Sequence, residues 1–253
     1  MKTKTVAIVL AAGKGSRMHM EIQKQYAMLL GRPVITHTLD AFEESPVDEV
    51  ILVVGEGEIP FAREEIVDRY GYQKVTHIVT GGKERYESVY RGLCAKEEGT
   101  SGAAADDSSR ADSPEITYVL IHDGARAFIT PELIGQCIRD VQRYDACVMA
   151  VPVKDTIKIV DEEQYSVSTP DRSVMWQMQT PQCFRLAEIR EAYRQMLACG
   201  DRTMTDDAMV MEKYGNRRVK MTMGSYENIK LTTPGDFILG EAILKHMRRE
   251  TEA

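Results

Sequence analysis

The chain has 253 residues, 43% hydrophobic and 28% charged, which suits a globular protein with a substantial core. A net charge of −7 argues against a general nucleic-acid binder, although a local cluster of cations can still bind a small anion. We expect no signal peptide and no membrane span. Five scattered cysteines without CxxC spacing predict reduced thiols in a cytoplasmic protein, and neither a zinc site nor a disulfide scaffold.

A phosphate-binding loop is predicted near the start of the chain, at residues 10–18 (LAAGKGSRM). It follows an apolar run, VAIV, that is typical of a fully buried strand. Gly13 and Gly15 let a phosphate approach free backbone N–H groups, and Arg17 and Lys24 add positive charge. We interpret the stretch as a nucleotide-phosphate loop. The alternative is a tight strand-to-helix turn on a lysine-rich surface.

Two common nucleotide-binding motifs do not fit this loop. A Walker A loop needs glycine at the position of Ile8 and Ser or Thr at the position of Gly15. The dinucleotide fingerprint needs a third glycine at the position of Met18. The sequence therefore argues against a P-loop NTPase and against a dehydrogenase.

Strands and helices are predicted to alternate through the first 153 residues. Strands are expected at 6–9, 49–54, 75–79, 118–121 and 148–153, and helices at 34–42, 59–70, from Glu84 and from Pro131. This alternation indicates an α/β protein with parallel βαβ units and right-handed crossovers. Residues 97–114, which lack large apolar side chains, are predicted to be a flexible surface insert without function.

A hairpin is predicted at 157–176, where two short β-like runs flank a polar turn. Because a lone hairpin is marginally stable in water, we expect it to pack against another surface, such as a second subunit. Helices at 186–197 and 205–214, a strand at 219–223 and a helix opened by Thr233 complete the chain.

Asp123 is the strongest candidate for chemistry from the residues alone. It stands at the end of a predicted strand, where open parallel sheets bind ligands, and Mg²⁺ favours a carboxylate beside phosphates. The alternative is a helix cap or a partner for Arg126. Glu227 and Lys230 are a possible second carboxylate and phosphate clamp, or a surface ion pair. His122 beside Asp123 suggests a catalytic dyad, but adjacent strand residues point to opposite faces.

Nine motifs, in order along the chain, resemble the 2-C-methyl-D-erythritol 4-phosphate cytidylyltransferases of the non-mevalonate isoprenoid pathway. They are LAAGKGSRM (10–18), KQY (24–26), GGKERYESV (81–89), VLIHDGAR (119–126), PVKDTIK (152–158), TPDRSVMW (169–176), QTPQ (179–182), TDDA (205–208) and ENIKLTTPGD (227–236). The resemblance implies one nucleotidyltransferase domain over residues 1–253, with a Rossmann-like, mostly parallel sheet flanked by helices. It also implies a protruding β-arm, at about 155–176, that makes a homodimer.

The same resemblance implies an activity and a set of site residues. The family transfers CMP from CTP to 2-C-methyl-D-erythritol 4-phosphate with Mg²⁺ and releases pyrophosphate. Four residues are expected to be catalytic: Arg17, Lys24, Arg172 and Lys230. Those expected to bind CTP are Ala11, Ala12, Gly13, Gly15, Gly82, Ser88, Asp123 and Gly124. Arg126, Thr156, Arg172 and Lys230 are expected to bind the polyol phosphate, and Asp123 and Glu227 the metal.

Two positions depart from the family pattern. Gln23 and Ala127 stand where the family usually has proline, and each loses a rigid φ in a loop, which concerns loop order and not charge. Two other functions stay open at this point. One is the sister activity on ribitol 5-phosphate, and the other is a non-catalytic CTP-binding sensor, which the intact charged positions argue against.

Overall fold

The structure is a computed structural model that describes residues 2–13, 23–95 and 116–252. Its strands are β1 Thr3–Ala11, β2 Met28–Leu29, β3 Arg32–Pro33, β4 Glu49–Val54, β5 Val75–Thr80, β6 Ile116–Asp123, β7 Ala146–Pro152, β8 Ile159–Val160, β9 Ser166–Ser168, β10 Trp176–Arg185 and β11 Lys220–Met223. Its helices are α1 Val34–Glu44, α2 Ile59–Phe61 with a π-helical continuation over Ala62–Asp68, α3 Arg85–Cys94, α4 Pro131–Tyr144, α5 Leu186–Ala198, α6 Asp207–Tyr214 and α7 Pro234–Glu252.

Seven strands form one sheet in the order β11-β7-β10-β6-β1-β4-β5. β1 pairs in parallel with β4 and β6, β4 with β5, and β7 with β11, whereas β10 runs antiparallel between β6 and β7. The predicted mostly parallel α/β sheet is therefore confirmed. Because parallel strands end at one edge, β1 and β6 deliver their last residues together, with Leu10 opposite Asp123.

Helices cover both faces of this sheet. On one face α1, α2 and α4 pack on Val9, Leu52 and Leu120, and on the other α3, α5 and α6 pack on Ile8, Val53 and Ile121. A smaller apolar cluster joins α7 to the start of α1 and to Phe128. No helix within the described ranges is long and apolar enough to cross a bilayer.

Strand β10 is the main element that the sequence did not predict. Its sequence, WQMQTPQCFR, contains three glutamines and Pro181, which removes a backbone donor and argues against a central strand. The strand tolerates them because its pairing with β7 shifts register between Met178 and Gln182. It occupies the centre of the sheet, and its Gln179 and Thr180 form hydrogen bonds with the segment that carries Lys230.

The predicted hairpin is confirmed as strands β8 and β9, followed by a 3₁₀ turn at Arg172–Val174. We call residues 155–176 the arm. Its apolar side chains are open to solvent in this single chain, with Tyr165 73% and Val167 65% exposed. The predicted insert at 97–114 lies outside the described residues.

Candidate active site at the C-terminal edge of the sheet

The predicted phosphate loop leaves the sheet at Ala11, the last residue of β1. The Ala11 carbonyl oxygen accepts a hydrogen bond from Gln25 Nε2 at 2.5 Å, which ties the segment carrying Lys24 to this strand end. The Gln23 side chain bonds both Gln25 and Glu58, so the residue that replaces the family's proline is itself held in place. Lys24 is half-buried beside them.

Residues 12 and 13 continue from β1 toward the turn after β5. Ala12 packs so closely on Gly81 that a Cβ on Gly81 would lie 2.5 Å from that of Ala12. Gly13 is exposed. Two predicted residues of the same loop, Gly15 and Arg17, lie outside the described residues.

Gly82 and Ser88, predicted to bind CTP, are in direct contact. Gly82 N–H donates to Ser88 Oγ at 3.0 Å, and Ser88 projects from the first turns of α3. A capping box made by Glu84 and Glu87 starts that helix, and Glu87 also accepts from Lys83 N–H at 2.7 Å. The turn from β5 to α3 is therefore fixed around the Gly82 backbone.

Asp123 ends β6 and lies in the centre of the site. Its Oδ2 accepts from Lys230 Nζ at 2.7 Å, and its Oδ1 lies 3.3 Å from Arg85 Nε. Burial alone would raise the pKa of this carboxyl. The positive charges of Arg85, Lys230 and Arg126 outweigh burial and hold the pKa of Asp123 well below its usual range, so the group is ionised.

Gly124 follows Asp123 and joins the end of β6 to β1. Its N–H donates to the Leu10 carbonyl oxygen at 2.9 Å, and its own carbonyl oxygen accepts from Thr38 Oγ1 at 3.0 Å. A side chain here would lie 2.9 Å from the Leu10 carbonyl oxygen and 2.6 Å from Ile35 Cδ1. Only glycine lets β6 approach β1 this closely at the site.

Arg126 lies half-buried next to this carboxylate. Its Nη1 donates to the Asn228 carbonyl oxygen at 2.8 Å, and its Nη2 lies 3.5 Å from the Met178 carbonyl oxygen. Its buried Nε has no hydrogen-bond partner among the described residues. Ala127, the second departure from the family's proline, is buried in the apolar cluster under α7.

The alternative of a catalytic His122–Asp123 dyad does not fit the structure. His122 is fully buried on the opposite side of β6, where Nδ1 lies 3.0 Å from Thr180 Oγ1 and Nε2 lies 3.2 Å from the Arg126 carbonyl oxygen. Burial lowers its pKa to about 4, so the ring is neutral at pH 7. It supports the turn that carries Arg126.

Lys230 contacts Asp123 from the segment between β11 and α7, which also carries Glu227, and this segment is hydrogen-bonded to β10. Asn228 is fully buried and donates from Nδ2 to the Thr180 carbonyl oxygen at 3.0 Å, while Gln179 Nε2 donates to the Ser225 carbonyl oxygen at 2.7 Å. Glu227 itself is half-buried, with its N–H donating to Ser225 Oγ at 3.1 Å. The side chain of Lys230 contacts Asp123, a pairing that was not predicted from the sequence.

The predicted polyol-phosphate residues Thr156 and Arg172 lie in the arm and are exposed. Arg172 Nη1 donates to the Lys154 carbonyl oxygen at 2.7 Å. Lys154 Nζ in turn lies 3.5 Å from the ring centre of Tyr226, whose hydroxyl donates to the Pro152 carbonyl oxygen at 2.8 Å. The base of the arm is thus connected to the residue that precedes Glu227.

Two residues with prominent contacts were given no role from the sequence. Arg85 reaches Asp123 on one side and, with two hydrogen bonds of 2.8 Å each, the fully buried Asp207 on the other. Both stand inside motifs that carry the resemblance, GGKERYESV and TDDA. Their pairing joins positions 122 residues apart, and no local pattern indicates it.

Comparison with known proteins points to one family. The family profile described as 2-C-methyl-D-erythritol 4-phosphate cytidylyltransferase matches residues 5–246. A curated protein of that name from Alkaliphilus oremlandii (strain OhILAs) is 45% identical over 247 residues, which cover 97% of each chain. Another, from Lachnospira eligens, is 47% identical over 242 residues, covering 94% of this chain and 98% of the relative.

Solved structures agree with this result. A 4-diphosphocytidyl-2C-methyl-D-erythritol synthase from Anaerococcus prevotii DSM 20548 matches with a TM-score of 0.76 at 31% identity, covering 96% of this chain and 99% of that one. A 2-C-methyl-D-erythritol 4-phosphate cytidylyltransferase from Thermus thermophilus matches with a TM-score of 0.70 at 26% identity, covering 97% and 100%. The motifs, the sheet and the relatives lead to one conclusion: the chain belongs to the 2-C-methyl-D-erythritol 4-phosphate cytidylyltransferase family.

Proposed function

We propose that the residues around Asp123 are the site at which this chain carries out the reaction of its family. That reaction transfers CMP from CTP to 2-C-methyl-D-erythritol 4-phosphate in the non-mevalonate pathway, giving 4-diphosphocytidyl-2-C-methyl-D-erythritol and pyrophosphate. The enzyme is therefore a nucleotidyltransferase.

The observation that carries the proposal is a group of three cations around Asp123, against the two carboxylates of Asp123 and Asp207. Arg85, Arg126 and Lys230 surround Asp123, and the buried Arg126 Nε has no acceptor among the described residues. A buried donor on a charged group is costly to leave unpaired, so an anionic ligand is the natural acceptor. A phosphate group on either substrate supplies such an acceptor.

The reaction needs charge stabilisation and not a protein base. The phosphate monoester of the acceptor has a second pKa near 6, so its oxygen is already largely ionised at neutral pH. That oxygen forms a bond to the α-phosphorus of CTP, and the bond from this phosphorus to the pyrophosphate oxygen breaks. We assign Lys24 and Arg17 to the charge that builds on the CTP phosphates, and Lys230 and Arg126 to the attacking phosphate.

The CTP-binding part of the site is proposed to be the edge made by β1, the turn after β5 and the end of β6. Backbone groups of Ala11, Ala12, Gly13 and Gly15 would face the phosphates, and those of Asp123 and Gly124 would close this edge. Gly82 and Ser88 would face the cytosine. The contact between Gly82 N–H and Ser88 Oγ supports a fixed backbone there.

Asp123 and Glu227 are the residues proposed to hold Mg²⁺. The ion usually takes one or two carboxylates plus substrate phosphates, which an ionised Asp123 and a half-buried Glu227 suit. In the described part of the chain no three His, Cys, Asp or Glu side chains form a metal cage, so phosphates would complete the coordination. When bound, the ion would neutralise phosphate charge. Chelation by EDTA should stop turnover, and added Mg²⁺ should restore it.

The arm is proposed to make a homodimer in which Arg172 and Thr156 act in the neighbouring subunit's site. Exposed Tyr165, Val167 and Val174 in the arm support an apolar contact with a second copy. Val167→Asp should therefore produce monomers in light scattering coupled to size-exclusion chromatography. Ile238→Asp on α7, where the side chain is 78% exposed, should leave the dimer intact and serves as the matched control.

A cytoplasmic location is also proposed. Cys137, Cys147, Cys183 and Cys199 form no disulfide bond within the described residues, as expected in a reducing compartment. Fractionation of the source cells, with the enzyme detected by antibody, tests this location.

Arg126→Met tests the site directly. Loss of charge-assisted hydrogen bonds worth about 1.5–3 kcal/mol should raise KM for the polyol phosphate about tenfold to a hundredfold, measured by pyrophosphate release. Arg32→Met is the matched control, because Arg32 is also half-buried, and its Nε also has no partner in the described part of the chain, but it lies beside Asp40. A KM within about twofold of wild type for Arg126→Met would remove Arg126 from substrate binding.

Ribitol 5-phosphate assayed in parallel measures how strictly the polyol is chosen. Faster turnover with ribitol 5-phosphate than with the methylerythritol phosphate would favour the sister activity. Binding of CTP without pyrophosphate release from either polyol phosphate would favour a non-catalytic sensor.

A further inference from the structure

Arg85 bridges two carboxylates that belong to different parts of the fold. Its Nη1 and Nη2 donate to the two oxygens of Asp207 at 2.8 Å each, and its Nε lies 3.3 Å from Asp123 Oδ1. A guanidinium presents its donors in a rigid fork, so fixing two of them on Asp207 also fixes the direction of the third. Arg85 therefore holds the Asp123 carboxylate at a defined angle.

Asp207 is a fixed anchor for this bridge. It is fully buried at the first position of α6, where a negative charge is favoured by the helix dipole, and it accepts a hydrogen bond from the Tyr193 hydroxyl. The same helix start is fastened to the sheet, because Gln182 on β10 accepts from Ala208 N–H at 2.8 Å and donates to Asp206 at 3.2 Å. Asp207 can move little without moving α6.

Lys230 is a different kind of partner for Asp123. Its ammonium is a point charge on a flexible stem, and among the described residues it donates one hydrogen bond, of 2.7 Å, to Asp123 Oδ2. Under the function proposed above, this ammonium turns to a substrate phosphate during the reaction. Asp123 then loses one of its two charged hydrogen-bond partners among the described residues and keeps the other, Arg85, while Arg126 acts on it only through its charge.

We propose that Asp207 and Arg85 form a positioning pair that holds the Asp123 carboxylate in its reactive orientation when Lys230 turns to the substrate. Neither residue touches the reacting atoms: Asp207 acts through Arg85, and Arg85 acts through Asp123. The inference rests on the proposed function, because it assumes that Asp123 belongs to the active site.

The pairing predicts linked kinetic defects. Asp207→Asn and Arg85→Gln should each lower kcat at saturating substrates about tenfold to a hundredfold, the range typical of residues that orient a ligand-holding group. The kcat of the double variant should be no more than about twofold below that of the less active single variant, because both changes break the same chain of contacts. Independent roles would instead multiply the two defects.

Arg85→Lys separates positioning from charge balance. Lysine keeps the positive charge between the two carboxylates but cannot hold both of them in one rigid geometry. We expect its melting temperature to lie close to that of wild type while kcat stays at least about tenfold low. A merely structural role would restore kcat together with the melting temperature. If Asp207→Asn fails to fold, Arg85→Lys decides the question alone.

The matched control is Arg194→Lys on α5. Arg194 also donates two hydrogen bonds to one carboxylate, from Nε and Nη2 to Glu191 at 2.7 Å each, but on an exposed surface. Its kcat should equal that of wild type. Asp123→Asn is run beside these variants, and an active Asp123→Asn would overturn the proposed site itself. An inactive Asp123→Asn together with a folded Arg85→Lys whose kcat is within about twofold of wild type would overturn the positioning pair alone.

Discussion

Lys230 Nζ lies 2.7 Å from Asp123 Oδ2, although 107 positions separate the two residues along the chain. Asp123 is the last residue of β6, and Lys230 lies in the segment after β11. Asn228 joins this segment to β10 through a hydrogen bond. The antiparallel β10 between β6 and β7 therefore brings the late segment to the strand ends. The site depends on this strand as much as on the parallel part of the sheet.

Lys24→Ala should lower kcat about a hundredfold or more without unfolding the protein, because charge stabilisation at a preorganised site is worth roughly 3–4 kcal/mol. Pyrophosphate release at saturating CTP and polyol phosphate measures the effect. Lys245→Ala on α7, which removes an exposed pair with Glu241, is the control. Near-normal turnover of Lys24→Ala would remove this lysine from the mechanism.

Arg172→Ala and Lys24→Ala should complement each other in mixed dimers. If each site takes Lys24 from its own chain and Arg172 from the partner, one site of a mixed dimer carries both defects and the other carries neither. Random exchange of equal amounts makes about half of the dimers mixed, so about a quarter of wild-type activity should return. No recovery, with exchange verified by a tag pull-down, would place Arg172 in its own chain's site or outside catalysis.

Tyr226→Ala should raise KM for the polyol phosphate about threefold to tenfold and leave KM for CTP nearly unchanged. The ring supports Lys154, whose carbonyl oxygen receives Arg172, so its loss loosens the base of the arm. Tyr144→Ala is the control, since Tyr144 also lies under a lysine, Lys220, but on α4. Equal effects on both KM values would contradict this explanation.

Acidification should destabilise the fold through His37. Burial in α1 lowers its pKa below 6.5 despite a hydrogen bond from Nε2 to the Leu29 carbonyl oxygen, and the nearby charges are Arg32, Asp40 and Arg248. The unfolded chain binds this proton more readily, so stability is complete above about pH 6.5 and falls as the pH drops, by at most about 1.4 kcal/mol per pH unit. Urea unfolding of His37→Gln at several pH values should give a shallower slope. Identical slopes would refute the assignment.

The parallel half of the fold could be predicted from the sequence because its signals are local. Glu49–Val54 is an apolar strand with the predicted bounds, and Thr130 caps α4 through a hydrogen bond from Leu133 N–H, as the Thr-Pro pair indicated. Strand β10 could not be predicted, because its glutamines are polar and Pro181 lacks a backbone donor. The glutamine side chains find hydrogen-bond partners only in the folded protein. Local pattern fails where tertiary contacts supply the stabilisation.

The residues of the candidate site could also be predicted only in part. Asp123 and Lys230 could be identified from the strand end and from the family motifs, and the structure places them in contact. Arg85 and Asp207 were missed because their roles depend on a contact between α3 and the start of α6. Long-range ion pairs leave no periodicity in the sequence.

The central claim is that the carboxylate of Asp123 organises cytidylyl transfer, and the turnover of Asp123→Asn tests it most directly. Asp201→Asn is the matched control, because Asp201 is also a carboxylate with 11% of its side chain exposed, and it pairs with Lys213 at 2.6 Å. With CTP, 2-C-methyl-D-erythritol 4-phosphate and Mg²⁺, Asp123→Asn should release pyrophosphate about a hundredfold or more slowly than wild type, while Asp201→Asn should match wild type. A folded Asp123→Asn that turns over as fast as Asp201→Asn would contradict the account.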